Sequence, residues 1–533
     1  MKTKLVVVGL DGATFDLLKP WAEAGHLPNL QNLLQGGSHG VLRSTLPSTT
    51  LPAWTSFATG KSPGKHGCYD FRMPMDSLGR NRLVTSRDIP GKTFYELLVE
   101  AGRKVTLINL PVSYPPRIEG TVITSLMTQG ADCVFPPSLA EEVPELQRYR
   151  IIAEPRTADA IRDVERERFQ VARELFDRDW DLFFLLFSGS DHISHEMYAE
   201  LRRRGRASAG ASVFLDLDRY LGWFVEHLPS NANLLVVSDH GFHSYPSIFY
   251  VNSWLAQEGY LALGGEVRPE GEDFQPGATE DTQEKPERLD LGALTQPLFE
   301  HPRLYQIAKR IYHTLRVILP IDVHLESRGV DLTKSVAYAA TNECKGIYVN
   351  DEERFVDGVV AQPDVEPLRE EIIARLEALE DPATGEAAFS RVWRKEELYH
   401  GPYVHSAPDI ILEPNVFVSF LLRSVEPFET TPVNYHTRDG ILLACGQDVS
   451  SGTILEDADI LDIAPTILHL MGSAIPEDMD GKVLGQLFKP GSDPAERTVR
   501  YRERTDSGRP KGEPLSEDEQ AVRDRLRALG YWA

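Results

Sequence analysis

Three short apolar runs in this chain finish in the same unusual way. Leu5 to Leu10 ends on Asp11-Gly12, Leu182 to Phe187 ends on SGSDHISH with Asp191 and His195, and Leu234 to Val237 ends on SDHG with Asp239 and His240. Runs of this length, bounded by polar turn residues, read as buried strands rather than helices. Because they are apolar without alternation, they predict a mostly parallel sheet covered on both faces. Val105 to Leu110, Ile410 to Leu412 and Ile441 to Leu443 read as further strands of it. Between the second and third runs, Val213, Leu217, Leu221, Phe224 and Leu228 recur at helical steps, and upstream Ile161, Val164, Val171 and Leu175 do the same. The pattern is a strand, helix, strand unit, and the fold class is α/β with helices on both faces. In such sheets ligands sit outside the carboxyl ends of the strands, where these acids and imidazoles fall.

One Asp after a strand is ordinarily a helix cap, and one Asp-His pair in a turn is ordinarily structural. Three strands aiming charge into one crevice is another matter, since desolvated carboxylates are costly without a counter-charge. The donors are oxygen and imidazole nitrogen, a set suited to zinc, manganese or iron. Asp191 and His195, four apart, share a face if a helix opens at that turn.

The stretch TLPSTTLPAWTSFATG supplies the hydroxyls of Thr45, Ser48, Thr49 and Thr50 just before a helix start with Pro52 in its first turn. Free N–H groups there favour an anion, so a phosphate would rest at this point, although the motif alone reads as a cap before it reads as a nucleophile. GKSPGKHG lacks the spacing of a phosphate loop, so Lys61, Lys65 and His66 are expected in a surface turn. The 56 Lys and Arg against 80 Asp and Glu give a net charge of -24, which argues against nucleic-acid polymers and anionic membranes as partners. No apolar run reaches the roughly 18 residues of a membrane span, and the N-terminal run is broken at Asp11 without a cleavage site, so a cytoplasmic protein is the default expectation. Cys68, Cys133, Cys344 and Cys445 contain no C-x-x-C and are expected to be free thiols.

The expected organisation is a first part of the catalytic core over 1–255, an inserted cap or lid over 256–335, a second part of the core over 336–490 and a tail over 491–533. The stretch from about Leu263 to Asp290 is rich in Gly, Pro and acids and reads as a loop. LYQIAKRIYHTLRVILPI follows, with Leu304, Ile307, Ala308, Ile311 and Leu315 on one face, and reads as a lid helix, with a lipid-interface helix as the alternative. PLREEIIARLEALEDPATGE reads as an amphipathic helix and turn. The tail predicts a terminal helix docking through Val522, Leu526, Leu529 and Trp532. Oligomeric state has no sequence signal.

Seven segments in order, VVVGLDGATFD, LPSTTLPAWTSFATGKSPGKHG, FSGSDHISH, VVSDHGF, APDIILEP, NYHTRDGILLACG and DILDIAPTILHLMG, make the chain similar to the alkaline phosphatase superfamily. Within it the chain resembles the type I phosphodiesterase and nucleotide pyrophosphatase branch, over most of its length apart from about 260 to 330. The resemblance implies an alkaline-phosphatase-like α/β sandwich with an inserted cap and two divalent metal ions, zinc before manganese or iron. Asp11, Thr50, Asp239 and His240 would surround one ion, and Asp191, His195 and His436 would hold the other. Thr50 falls at the nucleophile, and His405 competes with His436 for the last position. Two departures stand out: Ala53 replaces an Asn usual in nucleotide pyrophosphatases, and TLPAW lacks the C-x-P-x-R frame of sulfatases. The implied function is hydrolysis of a small-molecule phosphate ester, diesters first, through a phosphothreonine. Phosphomonoesterase, phosphonate hydrolase, phosphomutase or phosphotransferase activity, and a non-catalytic metal-bound scaffold, remain the alternatives.

Overall fold

The apolar runs form the middle of a nine-stranded sheet. A computed structural model describes residues 2–72, 83–129, 132–264, 330–341, 343–422, 426–505 and 520–529. The strands are β1 (Lys4–Leu10), β2 (Ser38–Arg43), β3 (Val105–Leu110), β4 (Thr121–Thr124), β5 (Val134–Phe135), β6 (Leu182–Phe187), β7 (Ala232–Val237), β8 (Asp439–Gly446) and β9 (Ala458–Asp459). Their order across the sheet is β9-β2-β8-β7-β1-β6-β3-β4-β5. At the centre β1 runs parallel to β6, with Leu5 opposite Leu182, and parallel to β7, with Val6 opposite Leu234. Their carboxyl ends are therefore level. Among neighbouring pairs, β8 is antiparallel to β7 and β2, and β5 is antiparallel to β4.

Both faces of the sheet are dry, which is why the central strands carry no alternation. On one face, Val6 and Val8 pack with the helix Ala158–Phe176 and the helix Ala211–Glu226, through Ile161, Val164, Val171, Leu175, Val213, Leu217, Leu221 and Phe224. Leu228 lies beyond that helix and is only partly buried. On the other face, Leu5 and Val7 pack with Trp54 and Phe57 of the helix Thr50–Thr59 and with Ile463 and Ile467 of the helix Ile463–Leu470.

The strand at Ile410 departs from expectation. Ile410–Pro414 pairs antiparallel with Gly346–Val349 and Phe389–Arg394 in a separate four-stranded sheet completed by Ala337–Tyr338. The run is apolar because this second sheet has a core of its own, shared with the helix Gln362–Glu377 and with Trp254, Leu255 and Tyr260. Length and hydrophobicity do not report which sheet a strand joins.

The stretch GKSPGKHG also departs from the surface turn expected of it. Lys61 is 1% exposed and ion-paired with Asp478, Lys65 pairs with Asp480, and the His66 ring is buried with Nε2 2.9 Å from Ser56 Oγ. Carboxylates more than four hundred residues away neutralise the lysines, so their sequence neighbours gave no sign of burial. The four cysteines are free. The terminal helix Gln520–Leu529 docks as expected, with Val522 and Leu526 packed against Leu51, Cys68 and Phe71, and Leu529 buried. Trp532, the lid helix at 304–315 and most of the acidic loop lie outside the described residues. No helix among the described residues is long and apolar enough to cross a membrane.

Candidate active site

The three level strand ends bring their polar residues together. Asp11 follows β1, Asp239 and His240 follow β7, and Asp191 sits in the first turn of the helix Gly189–Arg204 that follows β6. Gly12 makes the approach possible: its φ is +63°, and a Cβ there would lie 3.0 Å from Asp191 Oδ1 and 3.1 Å from the Phe242 ring. His240 Nε2 lies 3.5 Å from Asp11 Oδ1 and 3.3 Å from Asp239 Oδ2. Its Nδ1 donates to the Gly241 carbonyl at 3.1 Å, which leaves the Nε2 lone pair facing those carboxylates.

A two-stranded antiparallel sheet closes the group from the other side. Val433–Thr437 pairs antiparallel with Gly241–Tyr245, placing His436 opposite Phe242. Tyr245 donates to the His436 carbonyl at 2.9 Å, and Asn434 Nδ2 donates to the His195 carbonyl at 3.3 Å, fixing the strand Val433–Thr437 to the helix that carries Asp191. His436 Nε2 is 3.2 Å from Asp191 Oδ1 and 2.9 Å from His195 Nε2, and His195 Nε2 is 3.4 Å from Asp191 Oδ1. The helical step expected between Asp191 and His195 is present. The His240 and His436 rings stack at 3.8 Å, so the two clusters abut.

Thr50 stands at the start of its helix, 1% exposed, with Oγ1 3.5 Å from His240 Nε2. The residue at the N-cap is Thr49, and its side chain makes no capping hydrogen bond. The hydroxyl run is therefore not spent on capping. Ala53 and Trp54 point into the apolar cluster behind the site, while the Trp54 indole N–H reaches Asp11 Oδ2 at 3.4 Å. His405, by contrast, is exposed on the short turn Val404–Ser406, with Nδ1 2.8 Å from the Pro402 carbonyl, and is not among the residues that converge.

Electrostatics identify what this cluster lacks. Burial raises the carboxyls of Asp11 and Asp239 well above the usual range, and the neighbouring carboxylates push them further. Burial also opposes ionisation of Asp191, yet the imidazoles of His195 and His436 hold it well below that range. Burial pushes His240 down to about 4 and His436 well below its ordinary value. Asp11 Oδ1 and Asp239 Oδ2 are buried and find no hydrogen-bond donor among the described residues. Neutral imidazoles are ready to ligate a metal, and a cation bound beside Asp11 and Asp239 would displace the protons that burial retains on them. The separations of 2.9 to 3.5 Å also fit: tetrahedral ligands about 2.0 to 2.1 Å from one ion stand about 3.3 Å apart. Asp11, Asp239 and His240 form one group able to hold a cation, and Asp191, His240 and His436 form another.

Comparison with known proteins agrees with this geometry. Residues 5–439 match the family described as Type I phosphodiesterase / nucleotide pyrophosphatase. The chain belongs to that family. As a type I phosphodiesterase/nucleotide pyrophosphatase homologue it is a hydrolase acting on phosphoric ester bonds. Its sheet and helices resemble phosphonoacetate hydrolase from Sinorhizobium meliloti 1021 in complex with phosphonoformate, at 15% identity and TM-score 0.53, covering 89% of this chain and 96% of that one. They also resemble human ectonucleotide pyrophosphatase / phosphodiesterase 5, at 14% identity and TM-score 0.51, covering 91% of this chain and 100% of that one. At these identities the likeness is one of fold. A search among curated proteins finds no match to the chain.

Sequence reasoning missed one group of this family member's site. Lys345, 4% exposed, reaches in from the second sheet and donates to Ser48 Oγ at 3.2 Å. Beside it, Tyr435 stacks on His436 at 4.3 Å and donates to the buried carboxyl of Glu343. The stretch ECKG has no motif and lies almost three hundred residues from Ser48, so only the tertiary contact reveals it.

Proposed function

We propose that the chain hydrolyses phosphodiesters at a two-metal site, with Thr50 as nucleophile and a phosphothreonine intermediate. The observation that carries this reading is the convergence of Thr50 Oγ1, Asp11, Asp239 and His240 beside Asp191, His195 and His436. Asp11, Asp239, His240 and Thr50 would hold one divalent ion, and Asp191, His195 and His436 the other. Bound there, the pair supplies Lewis acidity, which lowers the pKa of the threonine hydroxyl and offsets charge on the phosphoryl group. Zinc leads, with manganese or iron as alternatives.

Thr50 Oγ loses its proton and attacks phosphorus. The Oγ–P bond forms as the bond to the departing alkoxide breaks, and that alkoxide leaves as the alcohol after taking a proton. Water then adds on the opposite face, breaking Oγ–P and returning the free hydroxyl. The helix that begins at Thr50 presents its unsatisfied N–H groups to the non-bridging oxygens. Burial of the whole helix Thr50–Thr59 keeps the nucleophile fixed.

Diesters are preferred because no guanidinium reaches the hydroxyls of Ser48, Thr49 or Thr50 among the described residues, whereas a doubly charged monoester favours a bidentate clamp. The test is a zinc- or manganese-loaded assay on aryl phosphodiesters and monoesters, with acid-quench trapping of ³²P on the protein. Diester turnover with label on Thr50 is expected. Turnover that survives Thr50→Ala overturns the nucleophile assignment.

A further inference from the structure

We propose that Lys345 is the phosphoryl-oxygen ligand of this site, a cation carried by the second sheet that binds the same phosphate group Thr50 attacks. The inference rests on the phosphohydrolase reading above and adds to it a residue that sets affinity for the substrate anion.

Four observations lead here. Lys345 is buried, and its ammonium meets Ser48 Oγ at 3.2 Å, two residues before Thr50. An ammonium has three donors. Ser48 takes one; the Tyr435 ring, 5.5 Å from Nζ, offers its face, and no carboxylate lies within 4.0 Å of Nζ among the described residues. The donors left over belong to a buried cation beside a helix N-terminus, where an anion is already favoured. Second, the contact is built with strain: Lys345 has φ +44°, a conformation a lysine seldom adopts, between Cys344 and Gly346. Third, Gly346 is closely confined, since a Cβ there would lie 2.6 Å from the Pro408 ring, so the loop has little room to withdraw the lysine. Fourth, Glu343, the carboxyl whose charge acts on the lysine, makes no ion pair with it within 4.0 Å and accepts from the Tyr435 hydroxyl through one oxygen.

Burial lowers the Lys345 amine to about 8 and raises the Glu343 carboxyl to about 8. Near neutral pH most of the amine remains charged. A fixed ammonium on a non-bridging oxygen resists neither approach of the nucleophile nor departure of the alcohol, and it offsets charge in the ground state and the transition state alike. It is therefore expected to act mainly on KM for a diester, and more strongly on a monoester, which carries the larger charge.

The test uses the full zinc-loaded chain, with inorganic phosphate as the probe in calorimetric titration. Thr50→Ala serves as the non-reacting parent, and Lys345→Met and Lys345→Arg are added to it. Lys345→Met is expected to weaken phosphate binding about 10- to 100-fold, with Lys345→Arg recovering part of the loss. In the Thr50 enzyme, Lys345→Met should raise KM for an aryl diester with kcat nearly kept, and should depress kcat/KM for the monoester further. Should Lys345→Met fail to fold, Ser48→Ala, which frees the ammonium from its anchor, is expected to weaken phosphate about 3- to 10-fold. Phosphate affinity within twofold of the parent, in a variant with unchanged metal content and melting temperature, overturns the proposal; so does a parent that binds no phosphate. The hydrolase reading fails separately, if the enzyme with Thr50 intact turns over no phosphoester while phosphate affinity in the Thr50→Ala parent still depends on Lys345.

Discussion

The candidate site has two halves that are built differently. Asp11, Asp191, Asp239 and His240 stand directly on the ends of three adjacent strands or in the turn that follows, where ladder register decides their spacing. His436, Tyr435 and Lys345 come from excursions: the strand Val433–Thr437 paired with Gly241–Tyr245, and a loop of a second sheet. The first half is carboxylate-rich, with two acids whose protons burial and mutual repulsion retain. The second half brings the imidazole and the amine that answer this charge. A parallel sheet readily collects acids at one rim, but the counter-charge has to be imported. On the proposed mechanism the division also separates roles: the rim would surround the nucleophile, and the imported parts would close the second cluster and meet the substrate's charge.

Four measurements would break or sharpen that contrast. The largest effect belongs to the rim: Thr50→Ala is expected to lower kcat on an aryl diester at least ~10³-fold while metal content by elemental analysis stays near that of the parent. Next comes the imported half. His436→Ala is expected to lose about one equivalent of metal per chain, whereas His405→Ala keeps both the metal and the rate within about twofold; the reverse result would reassign the position.

The third measurement addresses charge in the chelated protein. A carboxyl whose pKa is raised by folding contributes stability below its unfolded value, and that contribution is lost as pH rises through the folded pKa. Asp11 and Asp239 behave this way, while Asp191, held low, contributes above the ordinary range and loses it as pH falls. Asp239→Asn should therefore melt like the chelated parent near pH 4 and become more stable than it by about 1–3 kcal/mol toward neutral pH. A gap that shrinks as pH rises would contradict the crowding. Smallest is Trp54→Phe, which removes the indole N–H from Asp11 and keeps the packing; metal affinity should fall roughly tenfold in a competition titration.

How much was legible beforehand differs between the halves in the same way. Asp11, Asp191, Asp239 and His240 could be found because strand ends are marked locally, by an apolar run that stops on a charged residue. The step from Asp191 to His195 was legible because a helix repeats locally. His436 was reached through the resemblance of NYHTRDG to a family segment rather than through its own pattern, and the strand that delivers it pairs with one about 190 residues earlier, a contact with no periodic signature. The burial of Lys61 and the reach of Lys345 escaped the sequence for one reason: each is defined by a partner hundreds of residues away. The run Ile410 to Leu412 reads correctly as a strand, but the strand Ile410–Pro414 lies in another sheet, because hydrophobicity reports burial and not the neighbour that provides it.

By itself the sequence determined a dry parallel sheet flanked by helices, and a set of acids and imidazoles at one rim of it, since both follow from short-range periodicity and from where apolar runs stop. Tertiary structure alone decided that Thr49 makes no capping hydrogen bond and that a lysine from another sheet reaches Ser48 beside it. Those outcomes depend on contacts between segments far apart in the chain, whose energies no local pattern encodes.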